Sequence, residues 1–406
     1  MGGDRESAQA APSAPSARPA PASGAPPREA LRAATRIVVK IGSALLAEPA
    51  SGEPFRFFAE ELRWLQGSDR SIVLVSSGAI AQGRIDCAYE GRPRRLAHAQ
   101  ALAAVGQPAL IRRWGEALAP LKVAQFLLTG ADMRDPERFL NARRALRALA
   151  GDGYLPIGNE NDTVATEEIR IGDNDQLAAY VAQLVDADLL IILTQVDGLF
   201  SADPRRTVDV THFPEIAEET LEAYLGHAEE ASAEGWGTGG MRAKLSAAQQ
   251  ALALGVPVLI ADGRRGLRRL FEEPAAGTLL VPRPRPGSWL LRRWPVVGQL
   301  TLSEAAAAAL RAGEALWPDQ VTEVEGDFPR GALLTLRSPR EPLGRGLVGY
   351  SAGELKEAMR TPREGLPELF GKGYDGPLIE AEDWTPWPRS EPHTPHSPPA
   401  GAPLPG

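Results

Sequence analysis

An α/β fold is predicted for this chain: an open, mostly parallel sheet covered by helices on both faces, followed by a smaller β-rich unit. Three observations predict it. The strand-like runs, such as Ile37–Ile41, Ile72–Val75 and Leu189–Leu193, are nearly continuously apolar rather than alternating, as in strands buried on both faces. Helical stretches separate them, the pattern of crossover connections. Beyond Pro282–Pro286 the pattern gives way to short runs with glycine turns.

The elements follow in order. From Ala8 to Pro27 alanine, proline and serine alternate. Proline breaks any helix there and no bulky apolar stretch suggests a secretory signal, so residues 1–33 are expected to form a disordered tail. Residues 34–283 read as one domain. Ile37–Ile41 is a β-branched strand interrupted only by Lys40, and Phe57–Leu65 is an amphipathic helix. Ile72–Val75 is a second buried strand, and a helix starts at Ser76-Ser77-Gly78-Ala79-Ile80. Val123–Leu128, Tyr154–Ile157, Leu189–Leu193 and Val256–Ile260 continue the strands. Helices are expected over Glu137–Leu149, Asn174–Leu184 and Met241–Leu254.

Composition excludes several classes. With 406 residues, 43% of them hydrophobic, the chain can bury a sizeable core. A formal net charge of −8 gives no global basic field for nucleic acid or membranes. The single Cys87 rules out a disulfide framework within the chain and fits a reducing cytoplasm. No apolar run approaches the roughly 18 residues of a membrane helix. His98, His212 and His227 show no ligand spacing, and no metal-binding residues are expected.

Four segments follow apolar strands directly: Lys40-Ile41-Gly42-Ser43, Ser76-Ser77-Gly78, Asn159-Glu160-Asn161-Asp162 and Thr194-Gln195-Val196-Asp197-Gly198. In such sheets ligands gather beyond the carboxyl ends of the strands, so all four should meet at one edge. A lysine at a strand end is commonly just solvated. Beside Gly42, however, Lys40 joins its charge to approachable backbone N–H groups, which suits a phosphoryl group. Ser77-Gly78 sits at a helix N-terminus, where a serine is either a cap or an anion contact. A second acidic and amide cluster, Gly172-Asp173-Asn174-Asp175, lies in the same connection as the first.

The segment Gly235–Gly240 literally matches G-x-G-x-x-G, with Asp262 about twenty residues later. A dinucleotide fingerprint needs a buried strand before it, and Glu229–Glu234 cannot be one. Lys244, in the helix that follows, makes better sense as a phosphate contact. Neither a Walker A sequence nor a His-Arg-Asp catalytic loop is present, which excludes those kinase classes.

Together with Leu102–Gln107, Ala131-Asp132-Met133 and Asn141-Ala142-Arg143, these segments resemble the glutamate kinase branch of the amino-acid kinase family, in family order over residues 34–283. The resemblance implies an open αβα sandwich that uses ATP and Mg²⁺ to phosphorylate the side-chain carboxylate of L-glutamate, the first step of proline synthesis. It implies Lys40 and Lys244 on the transferring phosphate, with Asp175 orienting them. Ser77, Asp162 and Asn174 would contact glutamate, with Asn159 and Asp173 close by. Gly42, Thr194, Gln195, Thr238, Gly239, Gly240, Met241, Arg242 and Ala243 would join the lysines around ATP. Arg170 stands where the family usually has lysine, and Gln195 where aspartate is common. A homo-oligomer, dimer or tetramer, and inhibition by proline are further expectations. Alternatives are an acetylglutamate kinase or aspartokinase, and an RNA-binding regulator with an inactive kinase domain.

After a linker over residues 284–296, residues 297–385 carry short strands at Val321–Val324, Ala332–Leu336 and Gly346–Tyr350, and resemble a PUA domain, a small mixed β-barrel. That resemblance raises RNA as a partner through Arg330, Arg337, Arg340 and Arg345. Without interleaved aromatics for base stacking, a solvated rim is the favoured reading. Residues 386–406 are expected to be a second disordered tail.

Overall fold

The computed structural model describes residues 31–46, 53–67, 69–91, 93–165, 173–202, 204, 207, 209–221, 240–285, 288, 290, 294–371 and 376–387. The chain divides after Arg285 into two units. In order, the first comprises β1 (Arg36–Ile41), α1 (Glu53–Gln66), β2 (Ser71–Ser76), α2 (Ala79–Asp86), α3 (Leu96–Leu118), β3 (Val123–Leu128), α4 (Gly130–Arg134), α5 (Pro136–Gly151), β4 (Leu155–Glu160), α6 (Asp173–Leu184) and β5 (Leu189–Thr194). An antiparallel pair, β6 (Leu199–Phe200) and β7 (His212–Phe213), follows. Then come β8 (Glu215–Ala217), α7 (Gly240–Ala253), β9 (Val258–Asp262), α8 (Arg268–Glu272) and β10 (Thr278–Val281).

Eight strands form one sheet in the order β3-β4-β2-β1-β5-β9-β10-β8. It is parallel except where β10 runs against β9. β2, β4 and β3 lie on one side of β1, and β5 and β9 on the other, so the strand order reverses beside β1. That reversal opens a crevice beyond the carboxyl ends of β1 and β5.

Strand parity decides which layer each side chain faces. Ile37, Val39 and Ile41 of β1 point into the core built with Phe58 and Leu62 of α1 and Trp114 of α3. Val38 joins the opposite core, with Leu177 and Val181 of α6 and Leu245 and Leu252 of α7. Lys40 shares the parity of Val38 and therefore faces the α6–α7 layer. Helix α1 forms because Phe55, Phe58, Ala59, Leu62 and Leu65 recur at helical spacing and are all buried.

The second unit comprises β11 (Gln299–Leu302), α9 (Glu304–Arg311), β12 (Val321–Glu325), β13 (Leu333–Arg337), β14 (Pro342–Leu347), α10 (Ala352–Ala358), α11 (Leu366–Phe370) and β15 (Trp384–Pro386). Its sheet, β12-β11-β13-β14-β15, is mixed, with β11 parallel to β13. The strand expected at Gly346–Tyr350 instead starts at Pro342 and ends at Leu347. Its Pro-Leu-Gly-Arg-Gly-Leu sequence lacks apolar alternation. Its glycines serve close approach: a Cβ on Gly344 would sit 2.0 Å from the Thr385 carbonyl oxygen of β15.

The four arginines raised as an RNA-facing group, Arg330, Arg337, Arg340 and Arg345, are separately engaged. Arg330 pairs with Glu354 at 3.1 Å and Arg340 with Glu304 at 3.5 Å. Arg337 donates to the Ser338 carbonyl, and Arg345 stacks 4.7 Å over the Trp387 ring. Cross-strand register runs Glu325, Gln299, Thr335, Arg345 in one row, so acids and bases share this face.

Candidate active site

Three charged side chains converge from three elements at the crevice. Lys40 is the penultimate residue of β1, Asp175 lies in the first turn of α6, and Lys244 lies one turn into α7. Asp175 pairs with both lysines: its Oδ1 lies 2.5 Å from Lys40 Nζ in an ion pair, and its Oδ2 accepts from Lys244 Nζ at 3.0 Å. The side chains are only 6%, 3% and 13% exposed. Burial lowers the Lys40 pKa; Asp175 raises it in opposition, and Lys244 adds to the depression. The cluster carries two positive charges on one negative, a net attraction for a polyanion. Gly42 lies beside the cluster, where a Cβ would make an ordinary 3.5 Å contact with Lys40 Nζ.

A chain of amides runs away from this cluster. Asn174, beside Asp175, donates through Nδ2 to Ser77 Oγ at 3.0 Å. Its Oδ1 accepts from the Glu160 backbone N–H at 3.1 Å, and Asn159 Oδ1 accepts from the same N–H at 3.0 Å. Asn159 in turn donates to Gln107 Oε1 on α3 at 2.7 Å. Asn159 lies within β4, which extends three residues beyond the expected Ile157. Beneath Ser77, the buried Trp114 indole donates to Ser76 Oγ at 2.8 Å and ties α3 to the end of β2.

Asp162 stands in the turn after β4. Burial pushes its carboxyl up from 3.8 to about 6, and no described side chain offsets that cost. The turn is held by other groups: Asn161 and Val164 make backbone bonds, and Gln100 of α3 donates to the Ala165 carbonyl at 3.0 Å. Burial without a nearby cation to offset it is what raises a carboxyl in this way.

On the far side of β1, Thr194 closes β5, and the exposed Gln195 reaches the Ala44 carbonyl at 3.5 Å. Arg264, after β9, donates to the Gln195 carbonyl at 2.8 Å and is held by Asp262. Gly240, Met241, Arg242 and Ala243 form the first turn of α7, ahead of Lys244. Thr238, Gly239 and Arg170 lie outside the described residues, as does the Asp173 side chain, although Asp173 opens α6.

Sequence reasoning did not assign a role to Gln107, Trp114 or Arg264. Gln107 closes the motif Leu102–Gln107, whose order in the chain gave its only signal. Arg143, from another such motif, is buried and caps the far end of α6, donating to Leu184 O at 2.7 Å and pairing with Asp186 at 2.6 Å.

Comparison with known proteins agrees with this geometry. The model of the amino acid kinase family matches residues 35–262, and that of the PUA domain matches residues 298–363. The chain is 42% identical over 372 residues to the glutamate 5-kinase of Halorhodospira halophila (strain DSM 244 / SL1), covering 88% of this chain and 98% of that protein. It is 41% identical to the glutamate 5-kinase of Azoarcus sp. (strain BH72) over 370 residues, covering 88% and 99%. The figures for the glutamate 5-kinase of Caulobacter vibrioides (strain NA1000 / CB15N) are 41% over 369 residues, 87% and 97%.

Proposed function

The chain belongs to the amino acid kinase family, and within it to the glutamate 5-kinases, and from that premise we propose how its cleft phosphorylates the side-chain carboxylate of L-glutamate with ATP. The observation that carries the proposal is the Asp175 carboxylate holding Lys40 and Lys244 together at the crevice. A glutamate carboxylate is already ionised at neutral pH, so the reaction needs no general base. The barrier is to bring one anion onto another. Lys40 and Lys244 meet it by offsetting charge on the phosphoryl oxygens, in a site too buried for water to screen them.

One carboxylate oxygen of glutamate attacks the γ-phosphorus in line. The new oxygen–phosphorus bond forms as the bond to the β-phosphate oxygen breaks, and ADP leaves as the anion. Asp162 takes the substrate ammonium, while Ser77 and Asn174 take a carboxylate. Thr194, Gln195 and the start of α7 hold the nucleotide, with Gly42 beside its phosphates.

Magnesium fits this end without a protein cage. It binds phosphate oxygens and water with at most one or two carboxylates. Among the described residues no three His, Cys, Asp or Glu side chains gather, and both oxygens of Asp175 serve the lysines. When bound, it would supply further neutralisation of phosphate charge.

The test is ATP turnover with hydroxylamine trapping of the acyl phosphate, run on L-glutamate, N-acetylglutamate and L-aspartate. Signal is expected with L-glutamate. N-acetylglutamate has no ammonium for Asp162 and should be poor; a trap that fills with aspartate but not glutamate sinks the reading.

The resemblance also leads us to propose a cytoplasmic homo-oligomer in proline synthesis that proline inhibits. Among the described residues no helix is long and apolar enough to cross a membrane. An RNA regulator with a retired kinase unit is disfavoured, because Lys40, Asp162, Asp175 and Lys244 are all present and Arg330, Arg337, Arg340 and Arg345 are engaged locally.

A further inference from the structure

The direction of every hydrogen bond in the amide chain is fixed by one group. The Glu160 backbone N–H can only donate, so the two side-chain atoms it meets must both be carbonyl oxygens, Asn159 Oδ1 and Asn174 Oδ1. Each asparagine must then turn its NH₂ the other way. On one side Asn174 Nδ2 meets Ser77 Oγ at 3.0 Å. Ser77 therefore accepts, and its own hydroxyl proton is directed elsewhere. On the other side Asn159 Nδ2 meets Gln107 at 2.7 Å, which must present Oε1. Gln107 Nε2, with two protons, then points away from Asn159 and donates to no described group. A backbone N–H at the end of β4 thus leaves a donor at each end of the chain.

We propose that Gln107 is a specificity-determining residue, its amide NH₂ adding a donor to those of Ser77 and Asn174 for the α-carboxylate of the amino-acid substrate. This rests on the reading of glutamate as the phosphoryl acceptor. These donors and the Asp162 acid match a zwitterionic head group: a carboxylate takes the donors and the ammonium takes the acid. Substrates whose α-carboxylate is masked should be rejected, because they leave the donors without an acceptor. The local packing supports a fixed position for Gln107. It follows Gly106, where α3 crosses α2 so closely that a Cβ would meet the Ala79 carbonyl oxygen at 2.0 Å.

The test compares L-glutamate with its α-amide as acceptor, in the wild type and in Gln107→Glu. The substitution keeps an oxygen for Asn159 and replaces the outward donor with an acceptor. In the wild type, kcat/KM should favour glutamate over the α-amide by at least about a hundredfold. In Gln107→Glu the KM for glutamate should rise about tenfold or more and this preference should shrink about tenfold, while the KM for ATP does not follow. Gln107→Met, which has similar size and no donor, should shrink the preference in the same direction and covers the case in which Gln107→Glu fails to fold. An unchanged preference in a folded variant overturns the assignment, as does a parallel rise in both KM values. A wild type that phosphorylates no glutamate overturns the substrate reading and this inference with it, and that control tells the two failures apart.

Discussion

At one end of the cleft Asp175 already holds Lys40 and Lys244, whereas at the other end Asp162 carries a charge that burial opposes and no described side chain relieves. The phosphate end is assembled before any ligand arrives, its two cations kept at fixed separation by a shared carboxylate. The amino-acid end is completed only by a ligand that brings its own cation. A preassembled cluster favours rate, since its dipoles need no rearrangement as charge develops. An uncompensated acid favours selection, because ligands without an ammonium leave its cost in place.

The largest effect should come from breaking the assembled end. Lys244→Ala should lower kcat by about 10²–10³-fold, the range for a lost charge stabiliser. Turnover near that of the wild type would defeat the assignment. Asp175→Asn should lower kcat comparably, and should also cost about 3–5 kcal/mol of stability by leaving buried charge without its partner. Denaturant midpoints read the second effect, and an unchanged midpoint would show that the lysines find water instead.

The open end should respond in the opposite sense for stability. The Asp162 carboxyl binds a proton more tightly in the folded chain, about 6 against 3.8. Its contribution to stability is therefore complete below the unfolded value and is lost as pH rises through about 6; at pH 8 the ionised group opposes folding. Asp162→Asn should then raise the melting temperature at pH 8 and do little at pH 4. The same variant should raise the KM for glutamate by tenfold or more, on the order of one lost charged contact. In the wild type, kcat/KM for glutamate should fall as pH drops through about 6, where the free enzyme loses this charge. A flat profile down to pH 5 would remove Asp162 from the substrate.

These two ends were not equally legible in the sequence. Lys40, Asp175 and Lys244 announce themselves because each sits at a strand end or in the first turns of a helix, where local pattern and sheet topology place it. Strand parity even gives the layer that Lys40 faces. The amide chain depends on Gln107, which is 52 residues from Asn159, and on a backbone N–H that has no sequence signature. Neither composition nor period reports such a contact. The second unit was harder still. The Gln299–Leu302 strand has only four residues, and β14 carries a proline and two glycines that break its apolar pattern.

The smallest effects should separate the elements that hold each end. The phosphate cluster comes from β1, α6 and α7, whereas Gln107 comes from α3. Shifting α3 should therefore disturb amino-acid binding and spare the nucleotide. Gly106 is the position to move it: a Cβ would meet Ala79 O at 2.0 Å and Gly83 N at 2.3 Å, backbone atoms that cannot turn aside. Gly106→Ala should cost about 1–3 kcal/mol by overpacking and raise the KM for glutamate more than that for ATP. Gly115→Ala on the same helix is the control. Its Cβ would make an ordinary 3.5 Å contact with the Val123 side chain, and alanine in a helix is favoured over glycine by roughly 0.5–1 kcal/mol. That variant should be as stable as the wild type or slightly more so, with both KM values unchanged. If Gly106→Ala instead raises both KM values equally, α3 supports the whole cleft and the two ends are not independently held.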